Sequence, residues 1–343
     1  MVKWLGEKDP VRLRELFHEA RACAVEHVGP KVYFRGIIEL GNICTKDCSY
    51  CGIRSGNPSV NRYQMTSEEI LAAALEAFEM NYGSVVLQAG ERQDEAFIRL
   101  IEEVIQGIKT LSGSKLGITL SLGEQTAETY GRWFKAGAHR YLLRIETSNP
   151  ALYGKLHPED HFFEVRLDCL RSLKRIGYQT GTGVMIGLPW QTHKDLAGDI
   201  LFFERENIDM IGMGPYIPHV DSPLAKDVRG GYDAAENFRL GLVMIALTRL
   251  FLKDVNIAAA TALQAIDPEG REKGVLAGAN IIMPNITPVK YRGDYQLYEG
   301  KPCLDEDARK CSGCLELRVR NAGAEIGYGE WGDSVRFLKR PMT

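Results

Sequence analysis

Cys44, Cys48 and Cys51 are the residues of this 343-residue chain best suited to chemistry. Their C-x3-C-x2-C spacing, with Gly52 next, sets three thiolates on one short loop. Such a loop can wrap three corners of a cubane [4Fe–4S] cluster. A fourth ligand is missing nearby, so one iron keeps an open coordination position, which separates a reactive metal centre from a closed structural one. A structural zinc or a reactive thiol cluster is the blander reading, but zinc usually takes four protein ligands, often as two separated pairs. A second triad, Cys303, Cys311 and Cys314, lies in the tail, and Cys23 and Cys169 stand alone on helical patterns as packing thiols.

The elements that must hold these residues are visible as an alternation. Strand-like runs fall at 32–40, 84–88, 117–121, 140–145, 180–186, 209–213, 256–261 and 279–283. Helical patterns separate them at 67–80, 94–110, 125–136, 162–176, 193–206, 234–252 and 269–277. Thr66 and Glu69 form a capping-box signature at the first of these. Eight strands alternating with helices predict an α/β fold, a complete (β/α)8 barrel. An open doubly wound sheet is the runner-up, but no G-x-G-x-x-G follows the first strand. The expected organisation is a helical lead-in over 1–30, a barrel over 31–286 and an extension over 287–343. Since active sites of such barrels sit at the C-terminal strand ends, the cysteine loop after the first strand lies at the right face.

Composition excludes several classes. With 42 Lys+Arg against 45 Asp+Glu, the net charge of −3 does not suit a protein that coats nucleic acid or an anionic membrane. Residues 1–10 contain no apolar signal core, and no apolar run approaches 18 residues, so a cytoplasmic chain with reduced thiols is expected.

The loop Cys44, Cys48, Tyr50, Cys51 resembles the signature of the radical S-adenosylmethionine (SAM) enzymes, where it also follows the first barrel strand. The resemblance implies an oxygen-sensitive [4Fe–4S] cluster whose open iron chelates SAM and whose electron cleaves it to a 5′-deoxyadenosyl radical. It further implies cofactor contacts for Tyr50, Gln88, Gly90, Glu91, Ser121, Glu146, Arg166, Met210 and Tyr295. Within that superfamily, Ser121–Glu124, Arg140–Arg144, Gly187–Pro189, Gly214–His219 and Gly278–Asn285 are similar to the HydE family of [FeFe]-hydrogenase maturases. That likeness implies a small sulfur-containing, iron–cysteine type substrate near Arg54, Arg140, Thr261 and Tyr298. It implies a reductant such as ferredoxin or flavodoxin, HydG and HydF as partners, and an accessory [2Fe–2S] or [4Fe–4S] site at Cys303, Cys311 and Cys314. Ile145, Ala260 and Trp190 depart from the pattern, and the first two are expected to point into the barrel. Arg62 and Tyr63 are candidates to close the cluster loop, and His219 is a weaker catalytic candidate. A HydE-like paralogue, a methylornithine synthase-like mutase and a non-catalytic iron–sulfur carrier are the alternative functions.

Overall fold

The structure is a computed structural model that describes residues 1–227, 231–305 and 308–340, without the side chains of 308–312 and 314. Eight parallel strands form its centre: β1 (Lys31–Gly41), β2 (Ser84–Ala89), β3 (Gly117–Ser121), β4 (Arg140–Leu142), β5 (Gln179–Thr182), β6 (Met210–Ile211), β7 (Asn256–Ile257) and β8 (Ile281–Ile282). Each pairs with its neighbour in this order, and β8 returns to β1 through Tyr33–Ile281 and Phe34–Ile282. Between β7 and β8 the ring is joined by Asn280 N–H to Ile257 O, Ala259 N–H to Ile281 O and a bridge at Ala258–Ile281. The expected barrel is therefore present, with all eight strands where the apolar runs placed them.

The last five strands are shorter than their runs. At 256–261 only Asn256–Ile257 pairs regularly, because the alanines after it lead directly into a helix at Thr261–Ile266. β-Branched residues sustain the long β1 and β2, whereas small residues offer little side-chain surface to a pleat. Helices cover the outside; the one at Ser67–Glu79 carries the expected capping box, with Thr66 Oγ1 accepting from Glu69 N–H and Glu69 Oε2 from Thr66 N–H. Among the described residues, no helix is long and apolar enough to cross a membrane.

The two barrel ends are closed by different parts of the tail. Over the C-terminal face runs Tyr295–Lys301, where Leu297 O accepts from Gly52 N–H and Glu299 N–H donates to Pro218 O. A short strand, Glu325–Ile326, then pairs with Lys31–Val32 of β1. From there Trp331–Ser334 enters the N-terminal end. Asp333 Oδ1 accepts from Arg140 Nη2 at 2.6 Å and Gln179 Nε2 at 2.8 Å. Gly332 O accepts from Arg35 and Asn256, at 2.9 and 2.8 Å. The inward-pointing polar residues of β1, β4, β5 and β7 thus spend their hydrogen bonds on the tail.

Candidate active site

The cluster loop leaves β1 at Gly41 and is held by side chains that bind its carbonyls. Arg62 donates to Asn42 O and Ile53 O at 2.7 Å and to Arg54 O at 2.6 Å. Ser49 donates through N–H and Oγ to Leu156 O, both at 2.9 Å. Gly90 lets the end of β2 press on this loop, since a Cβ there would collide with Ile43 O. Tyr63 donates to Glu39 O at 2.6 Å, tying the end of the loop to β1.

Cys44, Tyr50 and Cys51 line a cavity of about 330 Å³ at the C-terminal strand ends, and Cys48 lies behind it against His157 and His161. Backbone N–H groups of Lys46 and Glu91 point at Cys44 Sγ, each 3.4 Å away. Burial and then the neighbouring Cys44 push the Cys51 thiol up to about 12, and burial raises Cys44 and Cys48 as well. Three adjacent, half-buried thiols ionise together only beside a strong positive charge, so the donor set fits an iron–sulfur cluster.

Next to the cysteines sits a compact charged group. Glu91, Glu124, His161 and Arg166 come together from two strand ends, a loop and the helix Phe163–Ile176 that the loop leads into. Arg166 Nε donates to Glu124 Oε1 at 2.7 Å, and His161 Nε2 lies 2.8 Å from the same oxygen. Burial alone would raise the Glu124 carboxyl, but the His161 bond and the Arg166 charge outweigh it and bring it to about 2. Glu91 Oε2 accepts from Glu124 N–H at 2.9 Å, while its Oε1 is buried with no hydrogen-bond partner. Glu146, at φ +62°, pairs with Arg144 at 2.9 Å. Tyr50 OH lies 3.3 Å from His157 Nε2.

The far wall carries the remaining polar groups. Arg271 donates to Thr261 Oγ1 at 3.0 Å, and Tyr298 stands in the same wall. Lys301 Nζ binds both oxygens of Glu39, at 2.5 and 2.6 Å. Gln88 donates to Tyr295 OH at 3.1 Å. A cavity with cysteines at one side, a carboxylate–guanidinium group beside them and a mixed polar wall opposite can hold a zwitterionic cofactor and a small anionic substrate together.

Comparison with known proteins agrees with this layout. The model of the Radical SAM superfamily matches residues 38–203. The [FeFe] hydrogenase maturase subunit HydE of Thermotoga maritima is 45% identical over 94% of this chain and 90% of its own length. The chain belongs to the HydE family of radical SAM enzymes. A biotin synthase of Staphylococcus haemolyticus is 27% identical over 87% of this chain and 88% of its own. In fold it is similar to methylornithine synthase (TM-score 0.79, 23% identity, 95% and 93% of the two chains). It is equally similar to the HydG of Carboxydothermus hydrogenoformans (TM-score 0.80, 21% identity, 97% and 76%). Enzymes of this superfamily work with a [4Fe–4S] cluster and SAM.

Set in the HydE-family frame, the cavity gathers Gln88, Gly90, Glu91, Ser121, Glu146, Arg166, Tyr295, Thr261 and Tyr298 with Cys44, Tyr50 and Cys51. Three expected contacts fall outside it. Arg140 opens β4 at the other end of the barrel, fully buried and clamped to Asp333, so it cannot face a substrate. Met210 opens β6, and its Sδ lies 3.1 Å from Arg35 Nη1, below the cavity. Arg54 is on the outer side of the cluster loop, paired with Asp47 at 2.6 Å. Ile145 is also misjudged: it is fully buried in the core and does not line the cavity, whereas Ala260 does. His219 packs its ring against Gly52 and accepts from Asp221 N–H, a loop-holding place. Trp190 is half exposed, with Lys155 over its ring.

Glu124, His157, His161, Arg271 and Lys301 were not singled out from the sequence. Glu124 ends the Ser121–Glu124 stretch at a strand end, a position that marks barrel active sites; the others lie on helices and loops with no periodic signal. In the second triad, Cys303 is half-buried at φ +63°, with its carbonyl accepting from Arg292 at 3.0 Å. Cys311 and Cys314 fall on the helix Ala308–Asn321, and their side chains lie outside the described residues. Cys23 and Cys169 point at carbonyls of Arg249 and Gln125, as packing thiols do.

Proposed function

We propose that Cys44, Cys48 and Cys51 hold the [4Fe–4S] cluster and that the cavity beside them takes SAM and a small sulfur-containing, anionic substrate in [FeFe]-hydrogenase maturation. The observation that carries this reading is the convergence of the cysteine loop, Glu91, Arg166 and Glu146 on one cavity at the C-terminal barrel face. When bound, the cluster supplies the electron that breaks a sulfonium C–S bond of SAM, giving methionine and a 5′-deoxyadenosyl radical.

The chain's own residues bind, orient and exclude water. Arg166 offers a planar, permanently charged fork to the SAM carboxylate. Glu91 Oε1, buried without a hydrogen bond and with only Lys46 Nζ 3.9 Å away, suits the ammonium of the same ligand. Gly90 brings backbone close to the amino-acid end, and Tyr50 and Tyr295 supply ring surface beside the adenosine. Across the cavity, Thr261, Tyr298 and Arg271 are the polar groups for an anionic substrate, and the Tyr295–Lys301 segment shields the space between. A ferredoxin- or flavodoxin-type reductant and a cytoplasmic setting with HydG and HydF as partners belong to the same proposal, with no role for nucleic acid or membrane. Ala260 in the cavity wall favours a second reading, a HydE-family paralogue whose pocket is widened for another substrate.

Anaerobic cluster reconstitution tests the reading. With dithionite and SAM, the loaded parent is expected to release 5′-deoxyadenosine, and Cys48→Ala none. A fully loaded parent that releases none overturns it.

A further inference from the structure

Arg166 is held most closely along one edge. Its Nε donates to Glu124 Oε1 at 2.7 Å, and its Nη2 lies 2.6 Å from His161 Nε2. Nη1 reaches Arg144 O at 3.3 Å, the longest of the three contacts. Glu124 is in turn fixed from behind, because its own N–H binds Glu91 Oε2 at 2.9 Å. His161 is almost fully enclosed and packs edge-on against Tyr153 and His157, so the imidazole has little room to turn. A guanidinium has five donors in a rigid fork, and the Glu124 bond on one edge, with the His161 ring packed against that same edge, fixes the direction in which the other edge points.

We infer that Glu124 is a positioning residue, which with His161 locks Arg166 so that its Nη1 edge meets the SAM carboxylate. The inference rests on the proposed SAM reading of the cavity and assigns a task to two residues that stand behind the lining residues Arg166 and Glu91 and do not line the cavity themselves. Glu124 also supplies the negative charge that lets a buried arginine remain at the site before ligand arrives. The advantage of this arrangement is pre-organisation: the fork is oriented in advance, and ligand binding orders fewer groups.

The discriminating measurement is a ratio of affinities. Binding of SAM and of decarboxylated SAM, which lacks only the carboxylate, is measured by anaerobic equilibrium dialysis on the cluster-loaded full chain. The parent is expected to prefer SAM strongly. Glu124→Gln retains an acceptor for Arg166 Nε but removes the charge, and should lower that preference about tenfold, with the decarboxylated ligand little affected. Glu124→Asp, which restores the charge on a shorter stem, should recover part of it. A role confined to stability would weaken both ligands alike and leave the ratio intact; that result overturns the inference. If Glu124→Gln does not fold, His161→Asn, which removes the imidazole from both Arg166 Nη2 and Glu124 Oε1, gives the same ratio, and an unchanged ratio there counts against the inference equally. A parent that binds SAM no better than its decarboxylated form defeats the carboxylate clamp itself, whereas a parent that prefers SAM while both variants match it defeats only the positioning role.

Discussion

Both ends of this barrel carry a pair of arginines, and they use them in opposite ways. At the C-terminal end, Arg144 and Arg166 line the cavity, the first anchored by Glu146 and the second by Glu124 with Glu91 beside it. At the N-terminal end, Arg35 and Arg140 are buried under the tail, and Asp333 and the carbonyls of Trp331 and Gly332 take up their donors. The same residue type is thus a ligand-facing group at one end and a bolt at the other. Arg140 and Arg144 make the contrast sharpest, since only four residues of one strand run separate them. At about 3.3 Å per residue that is roughly 13 Å, enough to cross the barrel wall from one end to the other.

The largest effect should come from breaking the bolt. Asp333→Ala leaves Arg140 fully buried without its carboxylate, a change that typically costs about 3–5 kcal/mol. Urea unfolding is expected to show that loss, while the affinity of the folded protein for SAM changes less than about threefold. If SAM affinity falls together with stability, the two ends are coupled and the contrast drawn between them is wrong.

The barrel was legible in the sequence because eight apolar runs separated by amphipathic helices leave few other ways to bury both faces of a parallel sheet. The cysteine loop was legible because its spacing is local. Arg140 and Met210 were misplaced because a strand residue's level along the barrel depends on register, which is set by pairing across strands rather than by the run itself. Both residues open their strands, and a reading that took the whole run 140–145 as active-site wall had no means of separating its two ends. Glu124 and His161 were missed for another reason. Their role exists only through contacts with Arg166 and with each other, and those of Glu124 join residues 37 and 42 positions apart. The bolt itself was invisible, since Trp331–Ser334 has no periodicity and its partners are scattered over four strands.

Acid should weaken the bolt in a defined direction. Burial alone would raise the Asp333 carboxyl, but the His139 ring 3.5 Å away, the Arg140 charge and the Gln179 hydrogen bond outweigh it and hold it well below the usual carboxylate range. A group with a depressed folded value adds stability that is fully present above its unfolded value, near 3.9, and is lost as pH falls through that value toward the folded one. Asp333→Asn, which keeps the shape and removes the charge, should therefore cost about 2 kcal/mol at pH 7. The gap between parent and variant should narrow steadily from about pH 5 to pH 3. A gap that stays constant with pH would mean that shape and not charge fastens the tail.

The smallest effect belongs to the layer between the two ends. Met210 sits there, its Sδ against Arg35 Nη1 and its terminal methyl against Gly181, whose neighbour Leu142 lines the cavity. Met210→Leu nearly conserves volume and removes only the sulfur acceptor, so a loss below about 1.5 kcal/mol is expected. SAM affinity and 5′-deoxyadenosine release should be unchanged, because the residue faces the bolt and not the ligand. A shift of SAM affinity beyond about threefold would place Met210 with the cavity after all. It would also move the boundary between the two ends one layer toward the N-terminal side, bringing Arg35 within reach of whatever the cavity holds.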